Sequence, residues 1–112
     1  MLKDIVNEFR KSNGKPEGIW NDEVSGYCNQ HCLAMEKAGN IYHAEQCYRG
    51  DWGEAVAVCG YNGQSAWEWV SCAVYNILGG DNEHKDLILN SNDIAGAYQF
   101  SDYKLYITIR GK

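Results

Sequence analysis

Apolar positions along the chain follow two different periods, and the change between them divides it into helical and extended parts. Leu2, Ile5, Val6 and Phe9 recur at helical spacing, and Asn13-Gly14 supplies a stop, which predicts an amphipathic helix near residues 3 to 12. A Lys-Pro-Glu-Gly loop follows. Asn21 then caps a second helix whose first turn carries Asp22 and Glu23, where negative charge suits the helix dipole. Val24, Cys28, His31 or Cys32, and Met35 form its buried stripe, and Gly39 ends it. Ser65 and Glu68 have the spacing of a capping box, in which each satisfies a backbone N–H at a helix start. Val70, Ala73, Val74, Ile77 and Leu78 carry that third helix to Gly79-Gly80.

The period then falls to two. Ile94 to Phe100 and Leu105 to Arg110 alternate as strands do, and Ser101 to Lys104 is a hairpin-length connection between them. Residues 40 to 64 are rich in Gly, Tyr and Trp, and the apolar run Ala55 to Val58 is too short to separate strand from buried loop. Before the hairpin, after a polar bend, come Asp86 to Leu89 and then Asn90 to Asp93 as a turn. Three helices ahead of a hairpin predict an α+β fold, with about three main helices packed on a small antiparallel sheet and Leu105, Ile107 and Ile109 turned to the core.

Length and composition narrow the function classes. At 112 residues the chain is expected to form one domain, 1–112, and 45% hydrophobic with 22% charged residues is an ordinary globular balance. A net charge of -5 with scattered basic residues leaves nothing to neutralise a run of phosphates, so nucleic acid is not an expected partner. No apolar run approaches the roughly 20 residues that span a bilayer, and the N-terminus reads as an amphipathic helix rather than a leader's apolar block. Five cysteines (Cys28, Cys32, Cys47, Cys59, Cys72) cannot all pair internally, and Cys28 and Cys32, one helical turn apart, are badly placed to pair with each other. Pairing and compartment stay open on these grounds.

The chemistry-bearing residues that stand out are His43, Glu54 and His84, all expected in loops or at element ends. Two imidazoles and a carboxylate are competent zinc ligands, and three protein ligands with one open position is how catalytic zinc sites are built. Glu45 and Glu83 flank the histidines. Cys28-x-x-x-Cys32 with His31 between resembles half a metal site, but no second close pair completes it, and buried thiols on an apolar helix face are the simpler reading. Cys47 near His43 lacks an orienting third group for a nucleophile pair. Trp52, Trp67 and Trp69 suit core packing or the lining of a cleft, while Asn7 and Arg10 suit bonds across elements.

Several stretches taken in order resemble the CAP superfamily, also called SCP-like, of cysteine-rich secretory proteins, antigen 5 and pathogenesis-related 1 proteins. The short bacterial members are the most similar. They are Asn7-Glu8-Phe9-Arg10 (the family's N-x-x-R), Trp20-Asn21 opening helix two, His43 followed by Gly53-Glu54, His84 with Ile88-Leu89, and Ile94-Ala95-Gly96-Ala97. The resemblance implies an α-β-α sandwich with a cleft where His43, Glu54 and His84 converge and where zinc or another divalent metal binds weakly. Ala55 replaces the asparagine of the family's G-E-N, Leu87 that of H-x-x-N-I-L, and the second cleft carboxylate has no clean match, with Glu68 and Glu45 as candidates. The expected function is that of a non-catalytic, secreted-type domain that binds a protein, lipid or sterol, or small-molecule ligand. The alternative is a zinc-assisted, protease-like hydrolase with Glu54 as general base.

Overall fold

The computed structural model describes residues 1–45 and 51–112. Helix α1 (Leu2–Ser12) buries Leu2, Ile5, Val6 and Phe9 as their spacing requires. Strand β1 (Ile19–Trp20) is two residues long and leads into α2 (Asp22–Ala38). Asn21 Oδ1 accepts from the Val24 N–H at 2.9 Å at the start of α2, and Gly39, at φ 69°, closes it in the left-handed conformation that glycine adopts without steric cost.

Strand β2 (Gly53–Gly60) resolves the ambiguous apolar run as strand. Helix α3 (Ala66–Cys72) continues as a π-helical turn over Ala73–Leu78, in which the Gly79 N–H reaches back to the Val74 carbonyl at 2.7 Å. The wider winding takes Ile77 out of the stripe predicted for it, and this side chain is 38% exposed. Ser65 Oγ caps α3 by accepting from the Glu68 N–H at 3.2 Å, but the Glu68 carboxylate bonds the Ser65 hydroxyl at 3.1 Å instead of the Ser65 backbone, so the capping box is only half made.

Two elements depart from the sequence pattern. Helix α4 (Asn82–Asn90) starts where the Asp81 side chain accepts from the Glu83 N–H at 2.9 Å, and it buries only Ile88. One buried side chain leaves no helical period to read. The sheet, in the order β1-β3-β4-β2, is mixed: β3 (Asp93–Ser101) and β4 (Lys104–Gly111) form the predicted antiparallel hairpin and β2 pairs antiparallel with β4, whereas β1 runs parallel to β3.

Helices cover both faces of this sheet. Odd-numbered β4 residues Leu105, Ile107 and Ile109 join Ala55 and Ala57 of β2 against α1, α3 and α4 in the larger core. On the opposite face Cys32 and Met35 of α2 pack on Tyr106, with Val56 and Ala97 at the margin. Gly96 lets α1 approach β3, since a Cβ there would stand 2.9 Å from Leu2 Cδ2 and 3.0 Å from the Thr108 carbonyl. Asn7 and Arg10 bond across elements as expected. Asn7 Oδ1 accepts from the Gly18 N–H at 2.9 Å, and the buried Arg10 guanidinium donates to the Pro16 carbonyl at 2.9 Å and the Ser91 carbonyl at 2.8 Å. This α-β-α arrangement is the expected α+β fold, with a fourth helix and one parallel strand pair added.

Candidate functional site: a histidine held by a buried carboxylate

His43 lies in the connection between α2 and β2, and its ring is half exposed. Glu54 is the second residue of β2, at an element end as expected, and its side chain is 2% exposed. The register explains where it points. Glu54 pairs with Arg110 across the β2–β4 ladder, so it shares the α2 face of the sheet with Arg110 and Thr108.

Its carboxylate is engaged on both oxygens. Oε1 accepts from His43 Nδ1 at 3.1 Å and from the Ala44 N–H at 2.8 Å. Oε2 accepts from Thr108 Oγ1 at 3.1 Å and from Arg110 Nε at 3.0 Å. A carboxylate offers about four lone-pair positions, and these four bonds use them. The bond to Glu54 places a proton on His43 Nδ1, and Nε2 has no partner among the described residues.

A second histidine steadies the same loop. His31, buried on α2, donates from Nε2 to the Tyr42 carbonyl at 2.6 Å, and its ring meets the Tyr42 ring edge-on at 5.0 Å. His31 therefore fixes the backbone next to His43. Behind it, burial pushes the Cys28 and Cys32 thiols up to about 12, so both are neutral packing groups rather than nucleophiles.

His84 sits in the first turn of α4 and faces Asp81, with Nδ1 3.7 Å from Oδ2. Glu68 serves the start of α3, and Glu45 is exposed two residues beyond His43. Cys47 lies outside the described residues. Trp69 is in the larger core, tilted against Phe100 at 5.0 Å and Tyr61 at 5.1 Å, whereas Trp67 is 44% exposed. Among the described residues no group of three or more His, Cys, Asp and Glu side chains could hold a metal ion. The structure thus joins His43 to Glu54 and adds Thr108, Arg110 and His31, none of which sequence reasoning placed in the site. The available signal was parity: in a strand covered on both faces, Thr108 and Arg110 must be buried, and a buried arginine needs acceptors, a carboxylate or carbonyls.

No protein-family model matches the chain, and no curated protein matches it by sequence. Solved structures do. An outer surface protein from Borrelia burgdorferi superposes with a TM-score of 0.71 at 15% identity, over 99% of this chain and 89% of that one. NaASP2, in a crystal structure with Zn2+, gives 0.65 at 13% identity over 98% of this chain and 76% of its own. An extracellular protein containing an SCP domain from Bacillus anthracis gives 0.62 at 16% identity, and the chain spans 39% of its length. No helix among the described residues is long and apolar enough to cross a membrane. At such identities the likeness speaks for the fold alone, and that fold is the CAP, or SCP-like, domain fold.

Proposed function

We propose that this is a non-catalytic domain of secreted type, which recognises a protein, lipid or small-molecule ligand through the surface around His43. The observation that carries the reading is the fourfold engagement of Glu54. A general base needs a free lone pair near its water. Freeing one here would strip a bond from His43, Ala44, Thr108 or the buried Arg110. Glu54 suits the task of orienting His43, and so does not suit direct metal ligation. The outer-surface and extracellular settings of two structural neighbours support the secreted reading.

The donors gathered among the described residues do not suit a catalytic zinc centre. Zinc, which accompanies NaASP2 in its crystal structure, would meet His43 Nε2 as one open nitrogen among the described residues. It would be held weakly and lost on acidification, as protons compete for that nitrogen. Zinc titration followed by calorimetry is expected to give weak binding that disappears in His43→Ala, and an unchanged isotherm in that variant removes the metal from the proposal. A panel of peptide and ester substrates separates this reading from the zinc-assisted hydrolase. No turnover is expected with zinc present, whereas turnover abolished by Glu54→Gln overturns the non-catalytic assignment.

A further inference from the structure

The outer side of β3 lacks a strand partner among the described residues from Gly96 onward. Asp93 and Lys112 exchange both backbone hydrogen bonds, so odd-numbered β3 residues turn their N–H and C=O groups toward β4 and even-numbered ones turn theirs outward. Outward groups are taken at the start of the strand: the Asn92 and Ile94 carbonyls accept from Ile19 and Asn21, and the Gly96 N–H donates to Ser25 Oγ at 3.2 Å. Strand β1 ends at Trp20, paired with Ile94, and no other described strand continues it. The Gly96 carbonyl, both groups of Tyr98 and the Phe100 N–H therefore stand on an edge without a strand partner among the described residues.

A groove of about 430 Å³ lies along this same edge, between the start of α1 and the side of α2. Leu2, Trp20, Ala97 and Tyr98 give it apolar walls, Asn29 adds an amide, and Lys3 is the one charged side chain lining it. We propose that the groove is a docking site for an extended peptide segment of another protein, which adds a strand to β3 beyond Trp20 and places an acidic side chain against Lys3. Backbone complementarity identifies the occupant's conformation, because the row of outward N–H and C=O groups repeats at strand spacing and is matched by an extended chain. Charge identifies its side chain: the groove is locally basic on a protein of net charge -5. The site is separate from the Glu54–His43 clamp, so it stands or falls independently of the proposed function.

The test is selection from a phage-displayed random heptapeptide library on the immobilised protein, followed by titration of the recovered peptides as synthetic compounds. Acidic peptides are expected, with binding at least tenfold weaker to Asn29→Arg, which fills the groove from an exposed helix position, and to Lys3→Glu. His43→Ala should bind as the wild type does. Hydrogen exchange should slow at the Tyr98 and Phe100 amides when peptide is added. The inference is overturned by recovery of no binding peptide, by peptides whose affinity falls with His43→Ala instead, or by unchanged exchange at both amides. It is also overturned if sedimentation shows that a second copy of the chain already occupies the edge.

Discussion

The two faces of the sheet are built from the same three long strands and differ in nearly everything else. The face under α1, α3 and α4 is apolar, with Ile107 and Ile109 fully buried among Ile5, Val70 and Leu78. The face under α2 has a small apolar cluster at Cys32, Met35 and Tyr106, and beside it the ion pair of Glu54 and Arg110 with Thr108. Both are buried to a similar degree, so burial alone does not separate them. What separates them is direction: apolar packing has none, whereas the polar face aims four hydrogen bonds at one carboxylate and so fixes the orientation of His43. One face supplies most of the apolar burial and the other the geometry of the candidate site.

The strongest challenge to this division is Glu54→Ala. Arg110 Nη2 is already buried without a hydrogen-bond partner among the described residues, and losing Glu54 removes the carboxylate bonded to Nε. Removal of one partner from such a pair costs about 3–5 kcal/mol, measurable by urea unfolding. A cost no larger than that of a surface substitution would show the polar face to be incidental. The next largest effect contrasts the faces directly: Ile107→Ala should lose about 2–5 kcal/mol, and Met35→Ala in the smaller cluster should fall toward the low end of that range. Equal losses near the top of the range would erase the difference between the two clusters.

An effect confined to alkaline pH, and absent at neutral pH, concerns the thiols of the α2 face. Burial holds Cys28 and Cys32 protonated, with values of about 12 against an ordinary 9.0. The unfolded chain then loses these protons first, so stability is fully present below pH 9 and falls as pH rises from there toward 12. Urea unfolding between pH 8 and 11 should show this decline, and a Cys28→Ala, Cys32→Ala variant should show a shallower one. Identical slopes would mean that these thiols do not contribute to the alkaline limb.

Much of the fold could be read from the chain because the signals were local. The Asn21 cap, the Gly39 stop and the β3–β4 hairpin each rest on a few adjacent residues, and the ordered stretches resembling CAP domains gave the layers in which they pack. Helix α4 escaped notice because Leu87, Ile88 and Leu89 are contiguous and only Ile88 is buried, leaving no period. Strand β1 escaped because two residues cannot show alternation, and its pairing partner lies more than seventy residues away. His43 and Glu54 were legible as candidates, but the role of Glu54 was not. It stands at the start of a strand, where the ladder with β4 sets it opposite Arg110, a pairing no local pattern shows.

By itself the sequence determined where helices start and stop, which residues of β4 enter the larger core, and which side chains are chemically capable of binding. Those properties depend on neighbours within a turn or two of chain. The tertiary structure decided that Arg110 and Thr108 meet Glu54, that His31 holds the loop next to His43, and that His84 faces Asp81. It also decided that β3 keeps an open edge beyond Trp20. Each of these depends on strand register and on helices covering both faces, contacts between residues tens of positions apart that no local pattern encodes.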